Sequence, residues 1–285
     1  MYLEYFSLKE FPFSITPNSQ FYANLSTHQD CINTLLVALQ CGEGFVKVIG
    51  EVGTGKTLLC RKLMGMLDER CFYTAYIPNP YLTPDELRHA LAHELRVNNA
   101  DEYSDQVLLQ HIYQRLIEIS SAGARVVLLV DEAQAMKPET LEALRLLTNL
   151  ETEKEKLLQV VLFGQPELEL TLNRQDLRQL KQRVTFAQNL RPLNEIEISH
   201  YIHHRMAVAG HIGMPLFTED AIRFLYKKTK GTPRLINISC HKALIVAFGR
   251  GDRQVDLLHV RRALADVEVI SARNWWQRIK WPVLG

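Results

Sequence analysis

The sequence predicts an α/β domain on a parallel sheet, followed by an all-helical domain. Three observations carry that reading. Short β-branched and leucine-rich runs alternate with helical stretches through the first two thirds of the chain, the pattern of βαβ units. A glycine-rich segment, Gly50-Glu-Val-Gly-Thr-Gly-Lys-Thr57, lies between the first such run and a helix. Beyond about Pro192 no convincing strand follows, and Gly210, Gly213, Gly231, Gly249 and Gly251 punctuate helical stretches.

Taken in order, residues 1–25 are crowded with aromatics and prolines: Tyr2, Tyr5, Phe6, Phe11, Pro12, Phe13, Pro17, Phe21 and Tyr22. That composition reads as an irregular arm, neither helix nor strand, packing on the α/β domain that follows. A helix is expected over 26–40, a short apolar strand over 45–49, and a helix from the glycine-rich segment to about 67. A second strand is expected over 72–77, then helices over 84–95 and 105–121. Residues 125–130, RVVLLV, form a continuous apolar run suited to a strand buried on both faces. A helix over 138–150, strands over 157–163 and 184–187, and four helices over 194–209, 218–229, 233–248 and 256–267 complete the reading. The organisation expected is arm 1–25, α/β domain 26–192, helical domain 193–268 and tail 269–285.

The segment from Gly50 to Thr57 matches G-x-x-x-x-G-K-[ST] in full, with strand before and helix after. The chemistry is separable by residue. Gly50, Gly53 and Gly55 let the backbone turn so that successive N–H groups face phosphates. Glu51, Val52, Thr54 and Leu58 belong to the same cradle, and the helix adds its positive N-terminal end. Lys56 supplies a point charge to the β- and γ-phosphates, and the Thr57 hydroxyl can ligate Mg²⁺. The competing reading is a glycine turn with a solvated lysine.

The second chemical element is the run ending in Asp131-Glu132. An apolar strand ending in an acid suits an Asp131 that holds Mg²⁺ and a Glu132 that polarises an attacking water. Glu132 points toward hydrolysis rather than simple nucleotide binding. The cofactors expected are therefore ATP and Mg²⁺. The bland alternative is a surface Asp-Glu pair at a strand end.

With those residues in view, the chain resembles the AAA+ ATPases over nearly its whole length. The implied fold is a P-loop NTPase (AAA+) parallel sheet flanked by helices, with an all-helical lid domain after it. Within AAA+, the arm YLEYFSLKEFPFSITPNSQFY, the loop GEVGTGKT, the box LLVDEAQ and the strand end LFGQPEL are similar to the ExeA/GspA family. Its members are ATPases of type II secretion and type IV pilus assembly, the MSHA-like pilus included. The resemblance implies further roles: Gln165 as the sensor-1 residue, Arg183 as the arginine finger with Arg178 as its rival, and Arg234 of Gly231-Thr-Pro-Arg234 as sensor 2. It also suggests Asn79 as a switch residue holding Glu132 inactive. A finger supplied in trans implies a homo-oligomer, and the expected partners are inner-membrane proteins of the pilus or secretion assembly. Longer family members continue into a transmembrane segment and a peptidoglycan-binding region; this chain ends before them, so no peptidoglycan role is expected.

Composition bounds the alternatives. The chain has 285 residues, 33 Lys+Arg against 32 Asp+Glu, and 47% hydrophobic residues. Fibrous and disordered classes do not fit. Near-neutral charge disfavours a surface that is wholly a nucleic-acid footprint, and with it the competing reading as a DNA-binding transposition regulator of the TniB/MuB type. Five cysteines without a CxxC pair suggest a reducing compartment. No signal peptide or spanning helix is expected, which gives a cytoplasmic location. His89 and His93 stand at i, i+4 but lack an intervening acid and read as ordinary surface histidines. The tail interleaves Trp275, Trp276 and Trp281 with Arg273, Arg278 and Lys280. That pattern suits peripheral contact with a membrane surface, a partner groove, or packing on the chain's own helical domain.

Overall fold

The computed structural model describes residues 2–16, 18–151 and 156–265. In chain order the elements are α1 (Tyr2–Tyr5), α2 (Ser26–Gln40), β1 (Phe45–Gly50), α3 (Lys56–Met64), β2 (Phe72–Ile77), α4 (Pro84–Glu94), α5 (Asp105–Ser121), β3 (Arg125–Val130), α6 (Pro138–Leu147), β4 (Leu158–Gly164), α7 (Pro166–Leu172), α8 (Arg178–Arg183), β5 (Val184–Leu190), α9 (Glu195–Val208), α10 (Glu219–Thr229) and α11 (Pro233–Arg250). A further helix, α12, runs over 257–265 to the limit of the described residues. The described residues divide into two compact units, Ser26–Arg191 and a second formed by those up to Leu25 together with those from Pro192 onward.

The first unit holds a five-stranded sheet in the order β2-β3-β4-β1-β5, with every pair parallel. Side-chain pattern explains the order. All seven residues of β4 are buried, and β3 is buried from Val126 to Val130, as strands covered on both faces require. The edge strand β5 alternates half-buried and exposed positions along VTFAQN before the buried Leu190. The other edge, β2, is mostly half-buried. Register places the site. Ile49 pairs with Gly164 and Val130 with Leu162, so β1, β4 and β3 end together at one edge. The residues that follow them, the glycine-rich loop, Gln165 and Asp131-Glu132, therefore emerge side by side. That is the carboxyl edge where open parallel sheets place their ligands.

The second unit has its own core. Tyr2, Phe6, Leu8, Phe13 and Phe21 pack with Ile198 and Ile202 of α9, Leu225 of α10 and Ile236 and Leu244 of α11. The expectation that the arm packs on the α/β domain is thus corrected: it packs with the C-terminal helices. The reason lies in specific partners. The Arg205 guanidinium, 4% exposed, donates to the carbonyls of Pro12 (2.6 Å) and Ser14 (3.4 Å), and its carbon lies 4.8 Å from the Phe21 ring centroid. The Tyr2 hydroxyl lies 2.9 Å from His241 Nδ1. Nor is the arm wholly irregular, since it holds α1 and a 3-10 turn at Ser19–Phe21 capped by the Asn18 side chain.

The short helices α7 and α8 were not foreseen, and α3 ends three residues before the expected position. The basic tryptophan tail, including Trp275, Trp276 and Trp281, lies outside the described residues. Among those described, no helix is long and apolar enough to cross a membrane.

Candidate functional site

The glycine-rich loop folds back on itself around Lys56. Lys56 opens α3 and is 5% exposed, and its Nζ donates to the carbonyls of Gly50 (2.6 Å) and Glu51 (3.1 Å). Two glycines are required by space and by backbone conformation. A Cβ on Gly50 would stand 2.7 Å from Thr54 Oγ1 and 3.0 Å from Leu190 Cβ. Gly55 has φ +101°, a region L side chains avoid, and a Cβ there would meet His28 Nε2 at 3.2 Å. His28, buried on α2, lies with Nε2 3.1 Å from the Thr54 carbonyl; a carbonyl only accepts, so Nε2 carries the proton. The Thr54 hydroxyl donates to the Glu51 carbonyl at 2.8 Å. The loop is thus pinned from α2 and from within.

Asp131, 2% exposed, follows β3 directly. Its carboxylate accepts from the Thr57 hydroxyl and, at 2.9 Å, from the Glu132 amide. Burial pushes its carboxyl above the ordinary aspartate value; those two hydrogen bonds and the Lys56 charge oppose the shift without cancelling it. Burial likewise pulls the Lys56 ammonium below the usual lysine value, opposed by the charges of Glu132, Asp131, Glu51 and Glu167. Charged groups held dry and unequally compensated are the pattern of a site built for a ligand rather than for stability.

Glu132 adopts the left-handed conformation, φ 51° and ψ 36°, at the start of a 3-10 turn over Ala133–Ala135. Its Oε2 accepts from Gln134 Nε2 and, at 3.1 Å, from Gln165 Nε2. Gln165 caps the start of α7 after β4, and its own amide donates to Gln134 Oε1 at 3.0 Å. Sequence reasoning singled out Glu132 and Gln165 but assigned nothing to Gln134 or His28. Gln134 could have been found inside LLVDEAQ. His28 carries no local signal, since α2 meets the loop only through the fold.

Asn79 does not hold Glu132. It is exposed, and its Oδ1 accepts from the Tyr81 amide at 3.4 Å, while the carboxamides of Gln134 and Gln165 take the place proposed for it. Arg183 ends α8 with Nη1 3.4 Å from Thr148 Oγ1. Among the described residues no hydrogen bond or ion pair joins it to Lys56, Asp131 or Glu132. Arg178 starts the same helix and is exposed. Arg234, exposed, lies in the first turn of α11 in the other unit. His93 pairs with Asp101 at 2.9 Å, and no cluster of metal-ligating side chains is found among the described residues.

Comparison with known proteins bears on the family and the fold. A family model described as "AAA domain" matches residues 40–172. The chain is 42% identical over 277 residues to "General secretion pathway protein A" of Aeromonas hydrophila. That match covers 97% of this chain and 50% of the relative, so the chain spans about half the relative's length. Among solved structures, Cdc6p from Pyrobaculum aerophilum is similar at a TM-score of 0.66 and 17% identity, covering 87% of this chain and 70% of that one. The Aeropyrum pernix ORC2 protein in its ADPNP-ADP complexes reaches 0.64 at 18%, covering 88% and 72%. The Thermotoga maritima RuvB Holliday junction branch migration motor reaches 0.57 at 15%, covering 90% and 73%. At such identities these structures speak to the fold. The chain is thus similar over nearly its whole length to a GspA protein, and an AAA domain model matches the part of it that carries the strand-end cluster.

Proposed function

We propose that the chain binds ATP with Mg²⁺ and hydrolyses it, and that turnover in a homo-oligomer supports assembly of a type II secretion apparatus or an MSHA-like type IV pilus at the inner face of a membrane. The observation that carries the ATPase part is one cluster at the strand ends: Lys56 drawn into the loop, Thr57 bonded to Asp131, and Glu132 held beside them by two carboxamides. The residues fit the group they would hold. Gly50 leaves no room for a Cβ against Thr54, and among the described residues the Lys56 ammonium rests on carbonyls of its own loop rather than in an ion pair.

In this reading the backbone amides of Glu51, Val52, Gly53, Thr54, Gly55, Lys56, Thr57 and Leu58 orient the phosphates. Lys56 leaves the Gly50 and Glu51 carbonyls to meet them, which a dry loop makes favourable because its charge is otherwise poorly solvated. Bound Mg²⁺ would neutralise phosphate charge, held by Thr57 Oγ1 and by Asp131. Glu132 accepts a proton from water through its carboxylate, and Gln165 donates to orient it. Arg183, with Arg178 as the rival, would act from a neighbouring subunit, and Arg234 would couple the helical unit to the bound nucleotide. The membrane location and the secretion or pilus partner rest on the GspA relative and on the basic tryptophan tail.

Two variants test this. Lys56→Ala should abolish binding of a fluorescent ATP analogue. Glu132→Gln should keep binding but reduce phosphate release by about 10²- to 10⁴-fold, the usual contribution of a positioned general base. Wild-type turnover in Glu132→Gln would move the water-activating role to another residue.

A further inference from the structure

We propose that Gln134 is a positioning residue for Glu132, and that it couples the end of β4 to the water-activating carboxylate. The inference rests on the ATPase reading above and names a part that reading does not contain. It starts from the backbone. Glu132 sits at φ 51°, a conformation that a residue with a Cβ holds only when its surroundings fix it. The 3-10 turn closes immediately behind it, the Ala135 amide donating to the Glu132 carbonyl at 2.8 Å. That turn aims the Gln134 side chain back at the Glu132 carboxylate.

The Gln134 carboxamide cannot be turned over without loss. Its Oε1 accepts from the Gln165 backbone amide at 3.0 Å, and a backbone amide can only donate. With the oxygen committed, the nitrogen must face Glu132 Oε2, where it donates. Gln165 Nε2 donates to the same oxygen at 3.1 Å. A closed ring results: Glu132 to Gln134, Gln134 to the Gln165 backbone, and the Gln165 side chain back to Glu132. Both donors converge on Oε2. Among the described residues no hydrogen bond reaches Oε1, which leaves that oxygen to accept a proton.

The ring has a mechanical consequence. Gln165 joins the end of β4 to the start of α7, so any shift of that junction moves the Gln134 oxygen and with it the nitrogen on Glu132. A carboxylate held by one donor can swing about its last torsion; one held by two is fixed. Misplacement of a reacting group by about 1 Å costs about 10²-fold in rate. Gln134 thus sets the carboxylate torsion without needing to touch nucleotide itself.

The test uses the full chain with Gln134→Leu, which keeps volume but cannot hydrogen-bond, and Gln134→Glu, which keeps shape but sets two carboxylates together. Steady-state phosphate release, fluorescent-nucleotide affinity and melting temperature are measured for each, beside wild type and Glu132→Gln. Both Gln134 variants should lose about 10- to 100-fold in kcat, with KM and nucleotide affinity within about threefold and the melting temperature kept. Gln165→Ala combined with Gln134→Leu should lose less than the product of the single losses, because the two act in one ring. Normal kcat in Gln134→Leu while Glu132→Gln stalls overturns this proposal alone. A Gln134 effect that falls on binding or melting temperature rather than kcat also overturns it, in favour of a structural role. Absence of turnover in the wild-type protein, or full turnover in Glu132→Gln, removes the ATPase reading and this proposal with it.

Discussion

Replacing Arg205 with methionine should release the N-terminal arm. Arg205 Nε donates to the Pro12 carbonyl at 2.6 Å and Nη1 to the Tyr201 hydroxyl at 3.1 Å, while Tyr201 in turn donates to Asn237 Oδ1 at 2.9 Å. Hydrogen bonds from a charged donor contribute about 1.5–3 kcal/mol each. A desolvated cation over an aromatic ring, here Phe21 at 4.8 Å, adds about 1–2 kcal/mol. Against this stands the cost of keeping a guanidinium dry, several kcal/mol, which methionine avoids. The net loss should be about 2–4 kcal/mol. For a unit of roughly a hundred residues that lowers the melting temperature of its transition by about 10 °C or more. Circular dichroism melts of the full chain give the shift. Limited proteolysis with mass mapping should show new early cuts within residues 1–25. Arg205→Lys keeps the charge but not the fork and should fall between. If Arg205→Met melts within about 2 °C of wild type and its arm resists protease as before, the guanidinium is not what anchors the arm.

Three further outcomes follow from the same geometry. Gly50→Ala places a Cβ 2.7 Å from Thr54 Oγ1 and 3.0 Å from Leu190 Cβ, so it should cost about 1–3 kcal/mol of stability and weaken nucleotide affinity at least about tenfold, read by titration with a fluorescent analogue. Asp131→Asn should raise the melting temperature of the nucleotide-free protein at neutral pH. Burial raises the folded-state pKa of Asp131, so its contribution to stability is present below the unfolded value of 3.8 and is lost as pH rises through the folded value. The ionised carboxylate therefore penalises the native state at neutral pH, and the gap between variant and wild type should close as pH falls toward 4. A gap that does not change with pH would mean that ionisation of Asp131 is not its cause. Finally, if Arg183 acts in trans, Arg183→Ala and Lys56→Ala subunits, each inactive alone, should regain phosphate release when mixed; mixtures as inactive as their components would turn attention to Arg178.

The division between what the chain states locally and what it leaves to the fold follows particular residues. RVVLLV and LQVVLFG read as buried strands because both faces of β3 and β4 are covered, so nearly every position is apolar, Gln159 reaching the Leu39 and Glu43 carbonyls through its Nε2. GEVGTGKT matches the phosphate-loop pattern because that pattern spans only eight residues, although Leu190 and His28 supply part of the crowding at Gly50 and Gly55. The edge strand β5 reads only as far as Ala187, since its polar alternation continues where one face meets solvent. The helices α7 and α8, with 7 and 6 residues, are too short for a helical period to show.

By itself, then, the sequence determined the alternation of strands and helices, the glycine-rich loop and the acidic pair after β3, because each is set by neighbours in the chain. Tertiary structure decided the rest. Which unit the arm joins depends on Arg205 meeting Pro12 and Ser14 across some 190 residues of chain. How Glu132 is held depends on β3 and β4 ending at the same edge, so that Gln134 and Gln165 reach one carboxylate oxygen. Contacts of that range are fixed by strand register and packing, and no local pattern encodes them.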